Sequence, residues 1–196
     1  MYNPTEICLL AEKYGADKCL KINHSYTPFY YELFKDIRND VKKVFEFGVG
    51  NNRQFKHIPN YTLGASLYVW RDFFPNAQIY GADIAPESIF DDGRVKTFLC
   101  DERDKNQIEE LIKKVGSDID IFIDDASHHI HDQRFLCETV MPLLKKGVIY
   151  IIEDTGRPRT LSKILSQYDC FEPKLLVPSS LTKKHSNSLL VVKHKI

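Results

Sequence analysis

Two short apolar runs, Ile119–Ile123 (IDIFI) and Val148–Ile152 (VIYII), each end in a pair of acids, Asp124-Asp125 and Glu153-Asp154. Nearly continuous β-branched and aromatic residues at this length suit strands covered on both faces, which points to a parallel sheet packed between helices. In open sheets of that kind ligands bind beyond the carboxyl ends of the strands, where these four carboxylates would lie. Neighbouring strands run about 5 Å apart, so acids at two adjacent strand ends can share one cation, and without a cation they would repel one another. His128 and His129 follow Asp125 within four residues and bring an imidazole to the same edge as a proton acceptor. The same residues have a plainer use, since Asp125 or Ser127 can cap the next helix and leave both histidines solvated.

The remaining pattern alternates. Apolar residues at helical spacing (Ile7, Leu10, Ala11, Tyr14) predict a helix from Pro4 to Tyr14, ended by Gly15. An aromatic helix is expected over Pro28–Ile37, a strand over Val44–Phe47, a helix over Leu63–Phe74 closed by Pro75, and strands over Gln78–Ile84 and Val95–Leu99. A charged helix over Asp104–Val115 presents Ile108, Leu111, Ile112 and Val115 on one face. Then come the strand Ile119–Asp124, a helix over Asp132–Leu144, the strand Val148–Glu153 and a short helix over Leu161–Tyr168. Two strand-like runs, Pro173–Val177 and Ser188–Val192, joined by a polar loop with Pro178, Ser179, Lys183 and Lys184, predict an antiparallel hairpin at the end. The fold class expected is α/β, a doubly wound Rossmann-like sheet, mostly parallel, with that hairpin added. No repeat or linker interrupts it, so residues 1–196 are read as one domain, with 1–40 as a helical lid and acceptor segment and 41–196 as the core.

Lys plus Arg and Asp plus Glu number 27 each, so no global field favours nucleic acid or an anionic membrane, and neither is expected as a partner. No apolar run reaches membrane-spanning length and no signal pattern opens the chain. Five scattered cysteines, Cys8, Cys19, Cys100, Cys137 and Cys170, form no CxxC pair, which suits free thiols in a reducing compartment and a cytoplasmic protein. Phe29, Tyr30 and Tyr31 are available to a core or to a homo-oligomer interface.

Glu46-Phe47-Gly48-Val49-Gly50 ends the first strand with an acid and a glycine-x-glycine turn that lets a ligand approach the backbone. A dinucleotide fingerprint would need a third glycine where Arg53 stands and an immediate helix, so NAD is disfavoured. Asp83, ending the second strand, can accept from ribose hydroxyls, and Asp101 can approach an adenine or cap a helix. Together with the terminal hairpin these features favour S-adenosyl-L-methionine.

These motifs resemble a known family. FEFGVG, GASLYVWRDFFPNAQIYGADI, IDDASHH and GVIYIIED, with LAEKYGADK...HSYTPFYYELF at the start, are similar to the class I S-adenosylmethionine-dependent methyltransferases, in particular the sugar O-methyltransferases typified by the macrocin and mycinamicin enzymes. The resemblance implies an O-methyltransferase acting on a sugar or glycoside, dependent on magnesium (Mg2+). It implies Asp125, Glu153 and Asp154 as metal ligands and His128 as the general base. It implies Glu46, Gly48, Gly50, Ser66, Asp83, Ile84, Asp101 and Asp124 as cofactor-binding residues. Tyr14, Asp17, Lys18, His24 and Tyr26 are the expected lid or acceptor wall, with His129 exposed or behind the ligands. The family's D-G-S-H motif reads Asp125-Ala126-Ser127-His128 here, and alanine disfavours the positive φ of a strained turn. The glycine loop is sparse, with Asn51-Asn52 after Gly50 and no further glycine until Gly64. A metal-dependent enzyme for a catechol or other diol, or a cofactor-binding inactive subunit, would share much of this pattern.

Overall fold

The computed structural model describes residues 3–175 and 188–195. Among them one sheet holds β1 (Lys43–Phe47), β2 (Gln78–Asp83), β3 (Asp91–Asp92), β4 (Val95–Leu99), β5 (Ile121–Asp124), β6 (Ile149–Glu153), β7 (Tyr168–Phe171) and β8 (Leu189–His194). Their order across the sheet is β3-β4-β2-β1-β5-β6-β8-β7. The strands β4, β2, β1, β5 and β6 are parallel, and β3, β8 and β7 are antiparallel additions at the two edges. The order reverses at β1, between β2 and β5, which is where ligands bind in sheets of this type.

Among the described residues six α-helices cover the sheet: α1 (Glu6–Tyr14), α2 (Tyr26–Phe34), α3 (Ala65–Phe73), α4 (Lys105–Val115), α5 (Ile130–Val140) and α6 (Pro158–Ile164). Side chains alternate between faces along a strand, and here the alternation builds two cores. Val44, Ile79, Ile121, Ile123 and Ile151 face α1, α2 and α3. Phe45, Phe47, Phe122, Tyr150 and Ile152 face α4, α5 and α6. On that second face Phe45, Phe122 and Tyr150 share a register and stack at centroid spacings of 5.0 and 4.8 Å across three strands.

Local chemistry explains most boundaries. Thr5 caps α1 by accepting from Cys8 N–H, and Gly15 closes it in the left-handed region. Asp104 caps α4 through Asn106 and Gln107. α2 begins at Tyr26 rather than at Pro28, because a proline in the first turn lacks only an N–H that has no helical partner there. The last strands differ from expectation. Pro158 starts α6 early, the helix ends at Ile164, and Tyr168, expected in a helix, opens β7 instead. β7 pairs Tyr168 with His194 and Phe171 with Val191, so the hairpin's first strand precedes the run predicted to begin at Pro173. Residues 173–175 are not strand, while Val177, Pro178, Ser179, Lys183 and Lys184 lie outside the described residues. Among the described residues no helix is long and apolar enough to cross a membrane. Tyr30 is fully buried, and Phe29 and Tyr31 pack against the first core, which removes Tyr30 from any surface interface.

Candidate active site

The strand alternation that builds two cores also sorts the acids. Glu46 and Glu153 follow Val44 and Ile151 by two residues and therefore point into the face covered by α1, α2 and α3, not out of the sheet's end. Both are buried. Glu46 accepts from Ser66 Oγ at 2.6 Å and from Trp70 Nε1. Glu153 accepts from Tyr30 OH at 2.5 Å and from Lys18 Nζ at 2.8 Å, and its carbonyl accepts from Gln133 Nε2. Asp124 has the opposite parity. It is buried on the second face, with Oδ2 unpartnered, and burial, with Glu102 next, pushes its carboxyl well above the usual range.

Beyond the strand ends a second group forms. Asp125 N–H donates to Phe47 O at 2.9 Å and ties the tip of β5 to that of β1. Its two oxygens divide: Oδ2 accepts from Lys18 Nζ at 2.6 Å, and Oδ1 lies 3.0 Å from His128 Nε2. Asp154 Oδ2 is 3.8 Å from the same nitrogen, and Asp154 Oδ1 accepts from Tyr26 OH at 2.6 Å. One ligand atom each from Asp125, His128 and Asp154 lies within 4.8 Å of the others, and Glu153 is not in this group. His24 backs it, with Nε2 3.5 Å from Asp154 and 3.7 Å from Asp17 and its ring stacked on Tyr26.

The backbone is strained where the group converges. His128 has φ 61° and Asp154 φ 51°, both left-handed, while Ala126 is not among the positive-φ residues. The replacement of the motif's glycine by Ala126 therefore meets no steric obstacle, since the unusual turn sits two residues later. Asp125 does not cap α5; His129 occupies that position, and Ser127 Oγ donates to Asp132.

Electrostatics follow from this geometry. Burial would raise the Asp125 carboxyl, but the Lys18 ammonium and His128 outweigh it and bring it to about 2. Burial would lower the His128 imidazole, yet Asp125 and then Asp154 raise it to about 9. Lys18 also resists burial: Asp125, Glu153 and Glu46 hold its ammonium well above the ordinary lysine range.

A cavity of about 390 Å³ opens beside this group and is lined by Gly48, Gly50, Asp83, Ile84, Asp101, Asp125 and His128, with Asp17 and His129 also on its wall. Its size falls in the usual range for small-molecule sites, about 300–1,000 Å³. Asp83 Oδ2 accepts from Val49 and Gly50 N–H, at 3.0 Å each, and Oδ1 accepts from Ala85 N–H. Asp101 is held by the Arg103 guanidinium. Glu46, Ser66 and Asp124 do not line this cavity, and Tyr14 is remote from it, donating to Asp72 and stacking on Tyr68. Sequence reasoning missed Glu102, a buried cavity residue whose Oε2 lacks a partner, and Gln54 and Phe55, which the loop after Gly50 brings to the wall. The signal for Glu102 was its place beside Asp101 after β4; nothing local marked Phe55.

Comparison with known proteins finds named relatives and a solved structure of the same fold. Over 131 residues, 67% of this chain and 31% of the relative, the sequence is 38% identical to mycinamicin VI 2''-O-methyltransferase of Micromonospora griseorubida. Over 145 residues, 74% of this chain and 36% of the relative, it is 34% identical to 8-demethyl-8-alpha-L-rhamnosyl tetracenomycin-C 2'-O-methyltransferase of Streptomyces olivaceus. The chain thus spans about a third of the length of the curated relatives it matches. The structure of the methyltransferase MycE in complex with Mg, SAH and mycinamycin VI superposes with a TM-score of 0.73 at 28% identity, over 97% of this chain and 55% of that one. No family model matches the chain. By strand order and by similarity to these enzymes, the chain belongs with the class I S-adenosylmethionine-dependent methyltransferases, and its relatives are sugar O-methyltransferases.

Proposed function

We propose that this chain transfers a methyl group from S-adenosylmethionine to a hydroxyl of a sugar or glycoside, with magnesium held at Asp125 and Asp154 and with His128 as proton acceptor. One observation carries the proposal: Asp125 and His128 line the same cavity as Gly48, Gly50 and Asp83, so the cofactor's methyl and the proton acceptor would meet in one space. The relatives' names and the Mg and SAH bound by MycE support it.

In this reading Asp83, on the cavity wall, takes the ribose hydroxyls, and Glu102, whose buried Oε2 has no partner, takes the adenine amine. The carboxylate oxygens of Asp125 and Asp154 are donors that suit a hard cation, no cysteine competes there, and the neighbouring His128 imidazole, a poor ligand for magnesium, is left to take a proton. Magnesium held by Asp125 and Asp154 would supply positive charge that polarises an adjacent hydroxyl. The same two carboxylates raise His128, and its imidazole stands beside them as the group that takes the hydroxyl proton. The segment through residue 40 forms the acceptor wall, with Asp17 at the cavity and His24 and Tyr26 behind Asp154. Free cysteines, four of the five buried, support a cytoplasmic setting.

Calorimetric titration of chelator-stripped protein with S-adenosylhomocysteine, then magnesium with a panel of free and nucleotide-linked sugars, tests the proposal. Cofactor binding followed by magnesium-dependent sugar binding and methylation is expected. No cofactor binding under any condition would end the enzyme assignment.

A further inference from the structure

The loop after Gly50 carries no glycine until Gly64, so it offers a cofactor side chains rather than a bare glycine backbone. One of those side chains, Tyr61, has no use in the chemistry proposed above. Its backbone is held by the end of α1: Thr62 N–H donates to Tyr14 O at 2.9 Å, and Gly15 packs so close that a Cβ there would lie 2.7 Å from Tyr61 Cα. Its ring lies against Phe55 at a centroid spacing of 4.8 Å. A Cβ built on Gly50 would stand 2.4 Å from Phe55 Cε2 and 3.3 Å from Tyr61 OH, so the phenol is fixed over the second glycine of the turn. The oxygen is buried and makes no hydrogen bond among the described residues. Gly64 N–H faces it without completing a bond, and burial keeps the phenol protonated by raising it above the ordinary tyrosine range. What is left unmatched is therefore the phenol proton, and a buried donor of this kind calls for an acceptor. Tyr61 lines a small cavity of about 20 Å³, room for about one water-sized group. That cavity shares Asp17, Gly48 and Phe55 with the larger one in which the cofactor is proposed to lie.

The cofactor's direction follows from the same proposal. β4, β2 and β1 are consecutive neighbours in the sheet. With the adenine at Glu102 beyond β4 and the ribose at Asp83 on the tip of β2, the methionine end runs on across the tip of β1, past Gly48 and Gly50. That end carries an ammonium, which has only donors, and a carboxylate, which only accepts. The carboxylate is the group that complements a donor without a partner. We infer that Tyr61 is a positioning residue that donates a hydrogen bond to the methionine carboxylate of S-adenosylmethionine, with Phe55 holding its ring over Gly50. This rests on the cofactor assignment in the function proposed above and adds a residue on which that assignment did not depend. Hydrogen bonds to a charged partner are among the stronger ones and are worth about ten- to a hundredfold in affinity. Tyr61 thereby lets the site tell the cofactor from a decarboxylated counterpart, which shares its adenosine, sulfur and amine.

The test is calorimetric titration of the full chain with S-adenosylhomocysteine and with its decarboxylated analogue, S-adenosyl-3-thiopropylamine, which lacks only the carboxylate. Wild type should bind S-adenosylhomocysteine at least about tenfold more tightly than the analogue. Tyr61→Phe removes one oxygen and keeps the ring on Phe55. It should bind S-adenosylhomocysteine about tenfold more weakly or worse, and the analogue within about threefold of wild type. A tyrosine that only supports the loop would weaken both ligands alike. Equal losses on the two ligands overturn the inference, as does an unchanged affinity of Tyr61→Phe for S-adenosylhomocysteine or a wild type that binds the two ligands equally. Should Tyr61→Phe fail to fold, Phe55→Leu decides, because it frees the Tyr61 ring. It should narrow the wild-type preference for S-adenosylhomocysteine by about threefold or more, and an unchanged preference overturns the inference. Each of these failures leaves the proposed function standing, whereas a wild type that binds neither ligand overturns that function and the Tyr61 role together.

Discussion

Gly48→Ala is the substitution whose cost can be worked most directly. Gly48 has φ +91°, and a Cβ placed there would lie 2.0 Å from the Asp125 carbonyl oxygen and 2.5 Å from its carbon. Contacts of a real Cβ essentially never fall below 3.0 Å, so the β5 tip must retreat by at least 1.0 Å from the 2.0 Å contact or the β1 tip must bend away. Neither is easy, because Gly48 N–H is bonded to Ala82 O and Asp125 N–H to Phe47 O, each at 2.9 Å. Left-handed backbone costs an L-residue about 1–2 kcal/mol, and overpacking adds about 1–3 kcal/mol. The expected loss is therefore about 2–5 kcal/mol in urea unfolding, against a typical total of about 5–15 kcal/mol. Surviving molecules carry Asp125 about 1 Å out of place, enough for roughly a hundredfold loss in turnover. Two controls separate the contributions. Gly93 has φ +59° and nothing within 4 Å of a built Cβ, so Gly93→Ala isolates the backbone cost; Gly147 has neither obstacle, so Gly147→Ala should be neutral or slightly stabilising. Equal stability of Gly48→Ala and Gly147→Ala, with manganese binding intact, would refute the reasoning.

Three further outcomes are expected. His128→Ala should retain S-adenosylhomocysteine binding and lose about 10²–10⁴-fold in turnover; near-normal methylation of any accepted sugar would remove its role as base. Because His128 sits at φ 61°, His128→Gly should be more stable than His128→Ala by about 1–2 kcal/mol, and equal urea midpoints would show that this turn stores no strain. Asp120 accepts from the Lys42 and Lys43 backbone N–H groups and from Lys145; burial would raise its carboxyl, but these partners prevail and hold it below its ordinary 3.8. A carboxyl depressed in the folded state contributes stability above its unfolded value that is lost as pH falls through the folded one. Asp120→Asn should therefore be least stable relative to wild type near neutral pH, and the difference should shrink below about pH 4. Parallel unfolding profiles from pH 3 to 6 would contradict that linkage.

Hydrophobic period determined the order of elements from α1 to β6, apart from the two-residue β3, because a strand buried on both faces must be continuously apolar and a covering helix must be amphipathic. Val95–Leu99 was read with its final bounds, and the helix expected over Asp104–Val115 differs only in that Asp104 caps it from outside. The acids at the ends of β5 and β6, with the histidines after Asp125, marked the edge at which chemistry is proposed. What the linear pattern could not supply was the assignment of each acid to a partner. Glu46 and Glu153 stand at strand ends like Asp125 and Asp154, yet strand parity turns them under the helices of the first face, where Ser66 and Trp70 of α3 meet Glu46 and the docking of the turn at Lys18 and of Tyr30 on α2 brings a cation and a hydroxyl to Glu153. The contacts to Glu153 join residues more than a hundred positions apart. The hairpin register was likewise decided by pairing with β8, not by local propensity. Tertiary structure chose which carboxylates are tied inward and which face the cavity, because a buried charge must find its counter-charge wherever the fold happens to place one.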